Sequence, residues 1–200
     1  MELLTFILIS IGVILIPGPN VLVVISTSIT QGKLRGLQTV VGTSAAMIIQ
    51  LVVAALGTAW FVSALAEGFF WLKWIGVAYL IYLGVSHLIR AASARQEPEI
   101  TAIASMQRGF WVSLTNPKTI LFFSAFLPQF AVSTAPYLEQ IALLSVIFWV
   151  LAAILDSGYA LLASRLSALL NREGSSKQQN RASGILYLGA GTLLATTKTG

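Results

Sequence analysis

Residues 3–25 read LLTFILISIGVILIPGPNVLVVI. A membrane-spanning helix needs about 20 mostly apolar residues, and this run supplies them without a charge. Its second half contains Pro17-Gly18-Pro19. Proline removes a backbone donor and pushes the preceding residue away from helical geometry. The run therefore predicts a spanning helix that is broken inside the bilayer. Met1-Glu2 gives no basic start and the proline pair replaces a small-residue cleavage site, so the segment is expected to be retained and not to act as a cleaved signal.

Outward from this run, further apolar stretches lie at about 37–66, 69–91, 109–132, 140–165 and 183–198. They are too long and continuous for the roughly ten-residue alternating strands of an outer-membrane barrel. The composition agrees: the 200 residues are 56% hydrophobic and 10% charged, against roughly 25% charged in a soluble domain, and the mean hydropathy is +0.85. The expected fold is an all-α integral membrane protein of six transmembrane helices. Polar breaks fall at Gly32–Gly36, at Ala94–Gln107 and at Asn171–Arg181.

Charge sets the orientation. Lys33, Arg35, Arg90, Arg95, Arg108, Arg165, Arg172, Lys177 and Arg181 follow the first, third and fifth spans, whereas only Lys73 and Lys198 flank the other side. Cytoplasmic loops carry the excess of Lys and Arg, so both termini are expected outside. Trp60, Trp71, Trp74, Trp111, Tyr79, Tyr137 and Tyr187 read as interface anchors. Three spans, a polar linker at about 94–108 and three more spans make one transporter domain over 1–200. Its halves, about 1–93 and 109–200, must be inverted repeats. A shift of 109 residues lays Pro19-Asn20 over Pro128-Gln129, and broken helices in inverted repeats are typical of secondary transporters.

Several function classes drop out. Intramembrane aspartyl proteolysis needs two aspartates, and Asp156 stands alone. His87 is the single histidine and cysteine is absent, which disfavours a metal site or a thiol nucleophile. No phosphate-binding Gly-x-x-x-x-Gly-Lys-Ser/Thr run occurs, and no basic stripe with interleaved aromatics points to nucleic acid. No enzyme and no cofactor are expected.

Polar groups at membrane depth carry the remaining information, because each is costly without a partner. Asp156 precedes Arg165 by nine residues, about 14 Å of helix. Lys118 follows Arg108 by ten and reaches the same level, with Asn116 half a turn away. Asn20 lies in the inner part of the first span, and Thr43 and Ser44 sit two turns into the second. These groups converge on one depth. A carboxyl that loses and regains a proton there is the usual component of proton coupling. Structural uses stand beside this one. Lys118 can snorkel toward headgroups, Asp156 can cap a kink, and Asn20 and Asn116 can bond carbonyls freed by Pro17, Pro19 and Pro117. His87 reads as an interface residue, and Gly36, Gly42 and Ala46 as close helix packing.

Pro17-Gly18-Pro19-Asn20-Val21-Leu22, followed by Gly32-Lys33-Leu34-Arg35-Gly36 and Gly42, resembles the lysine exporter superfamily, in particular its RhtB-like branch of homoserine/threonine-type exporters. Leu114-Thr115-Asn116-Pro117-Lys118, Phe122-Phe123 and Leu127-Pro128-Gln129-Phe130 resemble that family's fourth span. Leu72–Leu80 with Leu83-Gly84 resembles its third, and Gly158-Tyr159-Ala160 its fifth. The resemblance implies a six-span efflux protein of the bacterial inner membrane that expels amino acids or small derivatives, with protons as the coupling partner. Where many members carry an acid in the second span, this chain has Met47. One acid and one base at the site match a zwitterion. The expected binding set is Asn20, Ser44, Asn116, Lys118 and Asp156, with Asp156 also coupling protons. Pro17, Pro19, Pro117, Pro128 and Gln129 are expected at helix breaks or gates. Export of another small solute and a non-transporting scaffold are the alternatives, and self-association is left open.

Overall fold

A computed structural model describes residues 2–56, 59–92, 99–132, 135–170 and 176–196. Among them every regular element is helical: α1 (Glu2–Leu15), α2 (Pro19–Leu56), α3 (Ala59–Ala92), α4 (Ala102–Leu114), α5 (Pro117–Leu121), α6 (Tyr137–Leu170) and α7 (Ser176–Thr196). A π-helical turn (Phe122–Phe126) and a 3-10 turn (Leu127–Phe130) extend α5. Three stretches, Pro19–Ala55, Lys73–Ala92 and Tyr137–Ala168, are long and apolar enough to cross a membrane.

The distribution of polarity is that of a protein solvated by lipid. Leu4, Leu8, Ile75, Tyr82, Ile89, Ile154 and Leu162 lie on the surface, while Asn20, Thr43, Gln50, Ser113, Asn116 and Asp156 are buried. Lipid tails solvate the outer apolar side chains, and the polar ones find partners only inside.

Helix α2 contains a reversal. Gly32 has φ +81°, a conformation that favours glycine. A Cβ placed on Gly36 would fall on Ser28 Oγ, although eight residues of straight helix would separate these positions by about 12 Å. The chain thus folds back at Gly32 into two arms, residues 19–31 and 33–56. The break expected over Gly32–Gly36 is confined to one residue, because glycine alone accommodates the turn and the basic residues after it are good helix formers.

The other boundaries also move. The second arm ends at Leu56 and α3 is under way by Ala59, ten residues before the expected start at 69. Hydropathy does not register a helix end inside an uninterrupted apolar run. Helix α4 begins at Ala102, so residues 102–108 of the expected linker are helical, capped by the Thr101 side chain on the Ala104 N–H. Helix α7 begins at Ser176, before the expected 183, since its first turns are polar but still helix-competent. Residues 93–98 and 171–175 of the two expected loops, and the Trp60 side chain, lie outside the described residues.

Two cores hold the bundle. One joins Phe6, Phe122, Phe123 and Phe148 with Met47 and Leu51; the other joins Val23, Val40, Leu80, Val112 and Tyr187. Helix α2 packs on α4, α6 and α7, and α3 packs on α7. The contact between α2 and α4 is backbone-close: a Cβ on Gly42 would land on the Met106 carbonyl, and one on Gly109 on the Thr39 carbonyl. A carbonyl cannot yield as a side-chain tip can. Gly42→Ala is expected to destabilise the protein by about 3 kcal/mol or more, the upper end for overpacking. Gly158→Ala, where nothing lies within 4 Å of the new atom, should be neutral or stabilising. Thermal unfolding of the two variants in detergent checks the contrast.

Tyr187 and Tyr79 are not interface anchors. Tyr187 is fully buried, receives Arg108 Nη1 at 3.2 Å and lies 3.4 Å from Thr27 Oγ1; Tyr79 is half-buried and bonds Arg108. His87 is likewise buried, its ring 5.1 Å from that of Tyr187. An amphipathic aromatic serves an interior cation as well as a headgroup, and hydropathy cannot separate the two uses. Trp71, Trp74, Trp111 and Tyr137 are on the surface.

Candidate functional site

Two interrupted helices meet at the centre of the fold. In the first, α1 stops at Leu15 and α2 starts at Pro19. The Ile16 N–H still closes on the Gly12 carbonyl at 3.2 Å. In a continuous helix the Val13 and Leu15 carbonyls would next accept from residues 17 and 19, and both are prolines with nothing to donate. Side chains from elsewhere replace them. Lys118 Nζ donates to the Val13 carbonyl at 3.0 Å and to the Ile16 carbonyl at 2.7 Å. The Tyr159 hydroxyl donates to the Leu15 carbonyl at 3.0 Å. An ammonium at a helix C-terminus also meets the negative end of the macrodipole.

The second interruption is built alike. Helix α4 ends at Leu114, and Pro117 opens α5. The missing Pro117 N–H leaves the Ser113 carbonyl to the Asn116 N–H at 3.0 Å and to Gln50 Nε2 at 2.9 Å. Gln50 Nε2 also reaches the Leu114 carbonyl at 3.2 Å. The displaced Lys118 N–H finds Asn116 Oδ1 at 3.0 Å, so Asn116 caps α5. Each break is thus repaired by side chains from other helices, which hydrocarbon demands of freed backbone groups.

Asparagines tie the two breaks together. Asn116 Nδ2 donates to Asn20 Oδ1 at 2.8 Å, and Asn20 Nδ2 donates to Ser113 Oγ at 3.0 Å. Ser113 Oγ donates onward to the Thr43 carbonyl at 3.1 Å. Asn20 is 3% exposed and Asn116 fully buried. Asp156, 3% exposed on α6 one turn before Tyr159, lies within range of the Lys118 charge. It forms no hydrogen bond with a described residue. Gln50 Oε1 is a buried acceptor without a hydrogen-bond partner among the described residues. The site therefore offers an ammonium, a carboxyl and an open amide oxygen around a hydrogen-bonded node.

Four of the five expected binding residues surround this node: Asn20, Asn116, Lys118 and Asp156. Ser44 stands apart. It is half-buried, its carbonyl accepts the Trp149 indole N–H at 3.1 Å, and its hydroxyl bonds none of the other four. Pro19 and Pro117 are buried at the breaks, with Pro17 on the surface beside them. Pro128 and Gln129 lie instead in the terminal 3-10 turn, where Gln129 Nε2 returns to the Ala125 carbonyl at 2.7 Å. The interruption that faces Pro19-Asn20 is Thr115-Asn116, so the 109-residue shift does not pair the breaks. Gln50, Ser113 and Tyr159 were missed as members of the site. The one signal available was the carbonyl that each proline strands four residues upstream, which had to be satisfied by some donor.

The LysE type translocator family model matches residues 11–198. The chain is 33% identical to the "Homoserine/homoserine lactone efflux protein" of Salmonella typhimurium over 91% of its own length and 90% of that protein's. It is 29% identical to an "Uncharacterized membrane protein" of Vibrio cholerae, covering 98% and 97%. With the "Leucine efflux protein" of Salmonella choleraesuis it shares 27% identity over 98% and 95%. No solved structure matches. A membrane protein by its polarity and a translocator, not an enzyme, by its relatives, the chain belongs to the LysE type translocator family.

Proposed function

We propose that the protein is a six-span secondary transporter of the bacterial inner membrane that exports neutral, zwitterionic amino acids or small derivatives in exchange for protons. The observation that carries this reading is the buried node where the two broken helices meet beside Lys118 and Asp156. Efflux of homoserine and of leucine by relatives supports the solute class. Both are amino acids with uncharged side chains.

The six spans are residues 2–31, 33–56, 59–92, 102–130, 137–170 and 176–196, arranged as two inverted three-helix repeats. Support comes from the breaks: each opens a helix on a proline, Pro19 and Pro117, with an asparagine beside it. The two asparagines bond each other across the junction. Inverted repeats place such breaks at the substrate site.

A zwitterion uses the node as follows. The Lys118 ammonium has three N–H groups, and the Val13 and Ile16 carbonyls take two; the third serves the substrate carboxylate. Asp156 and Gln50 Oε1 receive the substrate ammonium. When a proton from outside neutralises Asp156, that hold is lost and the solute leaves. Movement of Lys118 toward the solute would loosen the end of α1, which couples occupancy to the broken helix.

Overexpression should raise tolerance to toxic levels of one or more neutral amino acids, with matching efflux from loaded cells, and reporter fusions should place residues 92–108 and 171–182 in the cytoplasm. Protection against another class of solute alone would move the protein to that class. No transport by purified protein in proteoliposomes would leave a scaffold.

A further inference from the structure

A second feature lies outside the node. The first arm of α2, α6 and α7 enclose a groove of about 470 Å³, walled by Ile25, Ile29, Leu162, Leu166 and Ala182 and ending inward at Tyr159. Its polar end is a hydrogen-bonded floor: Ser167 Oγ donates to the Ile29 carbonyl at 3.2 Å and receives Gln179 Nε2 at 3.4 Å. From Tyr159 to Ser167 the helix rises about 12 Å, close to one leaflet of a hydrocarbon core about 30 Å thick. Leu162 and Leu166 are exposed along this length, so the groove opens sideways to lipid.

Basic residues stand next in sequence to lining residues on both helices. Arg165 precedes Leu166 on α6, while Lys177 and Arg181 flank Gln178–Asn180 on α7, and all three are exposed. None is paired with a carboxylate among the described residues. Arg35, by contrast, is engaged by Glu99 at 3.0 Å. An apolar slot of leaflet length, with Arg165, Lys177 and Arg181 each next in sequence to one of its lining residues and paired with no carboxylate among the described residues, matches an amphiphile with an anionic head. Basic pockets between spanning helices are where such headgroups bind.

We propose that this groove is a binding site for one anionic phospholipid, with an acyl chain between α6 and α7 and its phosphate held by Arg165, Lys177 and Arg181. The site is independent of the transported solute. It touches the node at one point: Tyr159, which closes the groove, also holds the Leu15 carbonyl at the first break. A chain lying in the groove would therefore pack against a residue that fixes the broken helix.

The test is native mass spectrometry of the full-length protein released from micelles holding equal amounts of phosphatidylglycerol and phosphatidylcholine. The wild type should retain phosphatidylglycerol selectively. Each basic residue near an anionic surface is worth roughly fivefold in affinity, so the Arg165→Gln/Arg181→Gln double variant should lose about thirtyfold of that preference. Ala182→Trp fills the slot without altering charge and should also reduce retention. Equal retention of the two lipids by the wild type overturns the proposal, and that measurement needs no variant. A neutral amino acid that displaces bound lipid and whose own binding Ala182→Trp abolishes would overturn it too, by making the groove a solute path.

Discussion

Asp156→Asn is expected to stop efflux driven by an imposed pH gradient, down to the level of protein-free vesicles, while the protein still inserts and folds. The side chain keeps its shape. It makes no hydrogen bond to a described residue, and Lys118 acts on it through charge. An ionised carboxylate at membrane depth costs about 2.5–3.5 kcal/mol on insertion scales, and the amide avoids that cost. Stability in detergent should therefore match or exceed the wild type. Exchange of labelled for unlabelled solute without a gradient should persist at a reduced rate, because Gln50 Oε1 and the amide oxygen introduced by the substitution can still accept from a substrate ammonium. Proteoliposome assays with and without the gradient separate the two activities. Wild-type rates under the gradient would make Asp156 a structural residue and remove proton coupling from this site.

Much of the fold could be read from the chain because hydropathy and proline act locally. The apolar runs predict helices, and Pro17-Gly18-Pro19 predicts the first break at the position where α1 ends. The depth of Lys118 and Asp156, counted from Arg108 and Arg165, anticipates that their charges come within range. The partner of each break was not legible. Pro128-Gln129 looked like the mate of Pro19-Asn20 by dipeptide likeness, yet a break is defined by which carbonyls it strands and what reaches them. Gln50, sixty-odd residues from the carbonyls it satisfies, is invisible to any local pattern. Tyr187 and His87 show the same limit: nothing in their neighbours along the chain distinguishes a headgroup contact from a buried place, Tyr187 beside Arg108 and His87 against the Tyr187 ring.

The structure changes what Lys118 should do when removed. A lysine whose ammonium snorkels to the headgroups could be truncated with little loss of stability. Here Nζ holds the Val13 and Ile16 carbonyls, and Lys118→Ala leaves both without that donor at a helix end where lipid offers no replacement. An acceptor left unmade away from water costs about 1–3 kcal/mol. The variant should therefore lose about 2–6 kcal/mol, a thermal shift of roughly 4–24 °C at about 2–4 °C per kcal/mol for a chain of this size. It should also bind substrate at least tenfold more weakly, having lost the cation facing the carboxylate. The charge on Asp156 adds to the damage, since its opposite charge is gone. Adding Asp156→Asn to Lys118→Ala should recover part of the stability, and the shortfall from additivity measures the coupling between the pair. Lys118→Arg should hold most of the stability through its N–H groups but bind substrate less well, because a planar fork does not replace a compact ammonium. A Lys118→Ala protein with wild-type thermal stability would show that the α1 carbonyls do not depend on this ammonium, and the repaired break would no longer explain why a cation sits at that depth.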